Sequence, residues 1–197
     1  MNYFKLSSLG LALAALFSFN ACDEEVDPIA PEVVTTMVQA TSYTDWVYYS
    51  FSEDTIVSVS DPANASNWDI ALMRNHVRTN SGTSGSGQGG AFDAGVIDFD
   101  GYVTAPETGY LVDDSVQAFN FATMEYSPVA ASSVLEGWGS FSSDTPPVFT
   151  PSLKVFAVKT ATGKYVKLMF LNYYGTEGSG YITFKYLHQP DGSLNLQ

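Results

Sequence analysis

Residues 154–170, KVFAVKTATGKYVKLMF, decide the fold. Phe156 and Val158 occupy alternate positions, the turn Ala161-Thr162-Gly163 follows, and Val166, Leu168 and Phe170 return at every second residue. An apolar period of two on either side of a glycine-containing turn predicts a β-hairpin with one face in a core. The five apolar side chains are therefore expected to point the same way. A Gly-rich bend from Gly175 to Gly180 leads into YITFKYLH (181–188), where Ile182, Phe184 and Tyr186 alternate with Tyr181, Thr183 and Lys185. This reads as a third strand, closed off by Pro190-Asp191-Gly192.

Upstream, WVYYSF (46–51), TIVSVS (55–60) and WDIAL (68–72) are short segments rich in β-branched and aromatic residues, separated by Asp, Pro and Asn. A weak helix-like stretch runs from about Ser127 to Leu135. Many short strands at close spacing predict one all-β domain, an irregular sandwich or open barrel with extended hairpins. Trp68 is expected in the same core as the C-terminal hairpin, with Asp69 and Arg78 hydrogen-bonding the Gly-rich loop that follows.

The N-terminus, MNYFKLSSLGLALAALFSFNAC, has Lys5 ahead of an apolar run from Leu9 to Phe19, then Ala21 before Cys22, the one cysteine of the chain. That order is expected of a lipoprotein signal peptide. The apolar run is about half the ~20 residues a spanning helix needs. The expected organisation is a signal peptide over 1–21, a flexible tether over 22–38 starting at a lipidated Cys22, and a β domain over 39–197. The acidic run DEEVD (23–27) resembles the signal that sends many Gram-negative lipoproteins to the outer face of the outer membrane. The expected location is the outer membrane, lipid-anchored and facing the exterior.

Without the signal, seven basic residues face twenty-one acidic ones. A polyanion offers few cations to a phosphate backbone, which excludes nucleic acid as a partner. Motifs by spelling also fall away. Gly85-Ser-Gly87-Gln-Gly-Gly90 is followed by AFDAGVIDFDG, with no amphipathic helix whose N-terminus could hold a pyrophosphate. Its glycines are read instead as allowing positive φ or close backbone approach. Asp98-Phe-Asp100-Gly101 lacks the remaining ligands of a calcium loop and reads as a turn. His76 and His188 read as hydrogen-bonding residues beside strands, and no nucleophile, base and orienting group are recognisable, so no catalytic residue is assigned.

WDIALMRNHVRTNSGTSGSGQGGA (68–91) resembles the HmuY family of haem-binding surface lipoproteins. The resemblance extends through Gly137-Trp138, PPVFTPS, the strand pair from Lys154 and the terminal GYITFKY, covering roughly residues 40 to 187. It implies an all-β, hand-like fold whose two extended hairpins clamp a haem outside the cell before transfer to a TonB-dependent outer-membrane receptor. In such proteins His or Met ligands come from segments corresponding to about 110–126 and 138–148. The first contains Met124, whose thioether is a soft ligand suited to haem iron. The second places Ser143 at the other ligand position, beside Asp144, and neither is a usual strong haem ligand. Tyr126, Trp138, Phe141 and Phe149 are candidates to line a flat apolar cleft. The alternative is a lipoprotein that uses the same scaffold for a non-haem ligand or a receptor.

Overall fold

The computed structural model describes residues 31–197 apart from Phe121, so the expected signal peptide, Cys22 and the acidic run lie outside the described residues. Thirteen strands are present among them: β1 (Val33–Gln39), β2 (Val47–Ser50), β3 (Thr55–Val57), β4 (Ile70–Met73), β5 (His76–Thr79), β6 (Gly90–Gly95), β7 (Asp114–Asn120), β8 (Glu125–Ala131), β9 (Gly139–Phe141), β10 (Phe149–Pro151), β11 (Val155–Lys159), β12 (Tyr165–Gly175) and β13 (Gly178–Gln189). One 3₁₀ turn, Leu135–Trp138, separates β8 from β9.

Two antiparallel sheets form the body, ordered β1-β13-β12-β11-β6 and β3-β2-β4-β5. The 154–170 segment is the β11–β12 hairpin: Phe156 pairs with Leu168 and Val158 with Val166, and Gly163 adopts φ +78° in the turn. Leu168 pairs onward with Tyr186 and Phe170 with Phe184, and Ile182 pairs with Val38 of β1. All of these side chains enter one cluster, together with Tyr49, Ile70, Leu72 and Val77 of the second sheet. Period-two alternation on facing strands thus produces an irregular sandwich, as the pattern requires.

The structure corrects several details. Strand pairing begins at Val33, inside the segment assigned to the tether. The helix-like stretch is strand β8 through Ala131, and the TIVSVS strand ends at Val57. Trp68 is fully buried but lies outside the main cluster, edge-on to Tyr48 with ring centroids 5.0 Å apart. The Asp69 carboxylate accepts from the backbone N–H groups of Phe51 and Ala161, at 2.8 and 2.9 Å. Arg78 stacks on Trp46, 3.6 Å from the ring centroid.

Holding the Gly-rich loop falls to Asn80. Its Nδ2 donates to the carbonyls of Ala65 and Trp68, both at 2.9 Å, and its Oδ1 accepts from Gly87 N–H at 3.0 Å. The loop wraps so tightly that a Cβ on Gly85 would lie 2.2 Å from Asn80 Oδ1, and one on Gly87 2.7 Å from the Asn80 carbonyl. Close approach is therefore the reason for glycine there. Asp98 Oδ2 accepts from Gly101 N–H at 3.0 Å, which makes 98–101 the expected turn.

Candidate functional site

Two smaller hairpins stand on this body. β7 and β8 pair from Asp114↔Ala131 to Asn120↔Glu125, with most of their residues exposed or half-buried. Asp113 fixes the root of this hairpin: its carboxylate accepts from Thr79 N–H at 2.8 Å and Thr79 Oγ1 at 2.6 Å. Burial pushes the Asp113 carboxyl up to about 6, against the pull of those hydrogen bonds and of Arg78. The second hairpin joins β9 to β10 through an exposed loop, closed by Ser142 N–H donating to the Val148 carbonyl at 2.8 Å.

Between the two lies a cleft of about 410 Å³. Gln117, Phe119 and Tyr126 form one wall, and Phe141, Ser142 and Pro147 form the other. Asn75, His76 and Glu136 complete it from the body and the 3₁₀ turn. Phe119 and Tyr126 are cross-strand partners with ring centroids 4.9 Å apart, so period-two geometry puts both rings on the same side of the hairpin.

His76 is buried to 7% exposure, and its Nδ1–H donates to Glu136 Oε2 at 2.9 Å. The other carboxylate oxygen, Oε1, accepts from Val77 N–H at 3.2 Å. The carboxylate therefore fixes both the ring and the strand start that carries it. Arg74 and Arg78, which flank His76 in sequence, turn elsewhere. Arg74 donates to the Thr41 and Ser179 carbonyls and to Ser179 Oγ, and lies over the Tyr43 ring. It lines an adjoining cavity of about 210 Å³ that shares Phe141 and Pro147 with the cleft.

The sequence candidates divide. Tyr126 lines the cleft and is 70% exposed. Met124 sits in the turn of the β7–β8 hairpin at φ +59°, 69% exposed, outside the cleft lining. Ser143 is exposed in the β9–β10 loop, and it is the neighbouring Ser142 that reaches the cleft. Phe141 lines the cleft as expected, whereas Trp138 and Phe149 belong to the main core, their rings 4.5 Å apart. Aromatic residues beside a cleft and beneath it read alike in sequence.

His76 and Glu136 are the titratable cleft residues that the sequence candidates for the site did not include. They are 60 positions apart, and only the pairing of β4 with β5 and the placement of the 3₁₀ turn brings them together. His188 lines a different cavity with Asp69, Thr160 and Lys164, where burial lowers its pKa. Among the described residues, no group of three or more His, Cys, Asp or Glu is placed to hold a metal ion, and no helix is long and apolar enough to cross a membrane.

The described residues form an all-β protein, a two-sheet body carrying two hairpins around an aromatic cleft. The family described as HmuY protein matches residues 42–186, and the chain belongs to the HmuY family. A proposed HmuY-like haem-binding protein from Bacteroides vulgatus is similar at 26% identity and TM-score 0.62, over 79% of this chain and 91% of that one. The apo HmuY analogue of Tannerella forsythia aligns at 21% identity and TM-score 0.64, over 83% of this chain and 100% of its own. A proposed lipoprotein from Bacteroides fragilis aligns at 21% identity and TM-score 0.60, over 79% and 90%. No curated protein has a matching sequence.

Proposed function

We propose that the protein is a surface-anchored, haem-binding lipoprotein that acts as a hemophore in haem and iron acquisition. The observation that carries this reading is the aromatic cleft between the two hairpins in a chain of the HmuY family. Its chemistry fits haem: Phe119, Tyr126 and Phe141 offer apolar faces to a flat macrocycle, and the His76 imidazole lines the same cleft. Met124 holds the iron through sulfur, Tyr126 packs against the ring, and Ser143 lies on the loop that closes over it. Bound haem supplies the iron to be transported and no reaction at this site.

Cys22 carries the lipid that holds the protein on the outer membrane, exposed to the exterior, and a TonB-dependent receptor takes the haem from it. The similarity to a proposed lipoprotein supports the anchor. A second reading, a clamp for a non-haem ligand or a receptor, is favoured by the exposure of Met124 and its position outside the cleft lining.

Titration of the full chain with haemin, followed by Soret absorption in ferric and ferrous states, tests the proposal. A saturable shift of the Soret band supports it. Absence of any shift in both states moves the function to the second reading.

A further inference from the structure

We propose that a second cavity, between the two sheets at the end of the body away from the cleft, binds a small zwitterion of the α-amino acid class. The cavity is about 330 Å³ and holds Asp69, Lys164 and His188 in its lining. Its place follows from the long strands. Ser179, at the start of β13, contacts Arg74 beside the cleft, whereas His188 stands at the other end of the same strand. β12, alongside it, is 11 residues long, or about 35 Å of strand. The two sites are thus separate.

The cavity begins where the apolar rows of the core stop. The core-facing row of β13 runs Phe184, Tyr186 and then His188. On β12 it runs Leu168 and Val166 and continues to Lys164, and on β11 it passes from Val158 to Thr160. All three rows end in a polar residue that lines the same space. Closing the sandwich with apolar groups would avoid the cost of desolvating an imidazole and an ammonium there. Titratable groups gathered in a cavity between packed sheets are a feature of binding sites.

The charges are sorted by wall. Asp69, just before β4, and Glu53, in the β2–β3 turn, belong to the four-stranded sheet; Lys164 and His188 belong to the five-stranded one. Asp69 is 6% exposed and spans the two walls, accepting from Phe51 N–H on one and Ala161 N–H on the other. That bridge fixes the shape of the space before any ligand arrives. The ion pairs among the described residues are His76 with Glu136 and Lys154 with Asp93, so Glu53 and Lys164 face the cavity without pairing. Burial lowers the pKa of His188, against the pull of Asp69, which leaves Lys164 as the cation of its wall.

This arrangement selects its ligand. An ammonium fits the wall of Glu53 and Asp69, a carboxylate fits Lys164, and the hydroxyls of Ser50, Ser52 and Thr162 serve polar atoms between them. A simple anion would meet the two acids. Among the described residues no aromatic ring lines the cavity, so neither a haem nor the face of a sugar has a stacking surface there.

Isothermal titration calorimetry of the full chain with L-serine and L-glutamine tests the proposal. Ethanolamine, which lacks the carboxylate of serine, 3-hydroxypropionate, which lacks its ammonium, and glucose serve as controls. Saturable binding of an amino acid is expected, at least tenfold tighter than any control. Lys164→Met and Glu53→Gln, checked for folding by circular dichroism and thermal melting, should each weaken it at least tenfold, and Lys164→Met should narrow the gap between serine and ethanolamine. Glu53→Gln keeps the size of an exposed side chain and decides the matter if Lys164→Met unfolds. No saturable heat with either amino acid at millimolar concentration overturns the inference, as does glucose binding equally well or a folded Glu53→Gln with the parent's affinity. The haem-binding reading stands or falls separately, on the haemin titration.

Discussion

The two-sheet body and the pair of hairpins obey opposite rules. In β11, β12 and β13 the alternate residues Phe156, Val158, Val166, Leu168, Phe170, Ile182, Phe184 and Tyr186 enter one cluster at 0 or 1% exposure, and register is set by burial. In β7 and β8 only Ala118 and Ala131 are buried, and Tyr126 is left 70% exposed. A hairpin of this kind has little apolar burial of its own and is held by its root and its register. Stability is thus invested in one region and ligand contact in the other. The contrast makes a demand: core changes should unfold the protein, and hairpin changes should alter binding at almost constant stability.

The largest effect is expected at Phe170, which is 1% exposed and touches Trp138, Phe156 and Phe184. Phe170→Ala should cost about 3–5 kcal/mol in urea or guanidinium unfolding, a large part of the ~5–15 kcal/mol that holds an ordinary domain. A loss below ~1 kcal/mol would show that the body is not the region that carries stability.

Asp113 joins the two regions, and its titration sharpens the comparison. Its folded pKa of about 6 lies above the value of an unfolded Asp, so the folded state takes up the proton first. Its contribution to stability is complete below about pH 4 and is lost as pH rises toward 6. At about 1.4 kcal/mol per pKa unit, the change amounts to up to ~3 kcal/mol. Burial lowers the pKa of His188, so its contribution runs the other way and is lost as pH falls below its ordinary value. Unfolding midpoints of Asp113→Asn against parent at pH 4 and pH 7 separate the two. The variant should lose the fall in stability that Asp113 brings between pH 4 and pH 7 and keep the opposite change that comes from His188, and identical profiles would remove Asp113 as a pH-sensitive joint.

The Gly-rich loop belongs energetically to the body despite its irregular path. An alanine at Gly85 would place its Cβ 2.2 Å from Asn80 Oδ1 and 2.9 Å from the Trp68 ring, and both neighbours are held in place. Gly85→Ala should therefore cost about 1–3 kcal/mol, as overpacking of a rigid site does. Thermal melting reads this directly, and a neutral outcome would mean the loop yields as the hairpins do.

The body was legible because burial on one face imposes a period of two, which is visible in single residues such as Phe156, Val158, Val166 and Leu168. The glycines of 82–90 were legible as a loop with close approach, but the residue they approach, Asn80, was not, since its role depends on a path rather than a pattern. β8 was misread because Ser127 to Ala131 has no buried face to produce alternation: its residues are exposed or half-buried until Ala131. Tyr126 and Phe141 could be named for the site as aromatic residues of the hairpin segments, yet Phe119, which also lines the cleft, was not among them. Trp138 and Phe149 were named with them and belong to the core, since composition does not distinguish a wall from a floor. His76 and Glu136 meet only through tertiary placement, and no spacing rule links positions 60 apart.

The smallest effect on stability, and the one that most directly separates the two regions, is expected at Met124. Its backbone lies at φ +59° in the hairpin turn, where a side chain is strained and glycine is not. On stability alone this position favours Gly or Asn, so an exposed methionine there runs against the local preference. Met124→Gly should consequently leave unfolding unchanged or raise stability by up to ~1 kcal/mol, while removing the thioether and weakening haem binding. Because sulfur is a soft donor, the loss should be greater for ferrous than for ferric haem. A Met124→Gly protein of equal stability that binds ferrous and ferric haem as the parent does would show that Met124 does not touch the iron, and would leave the turn as a structural feature of the hairpin.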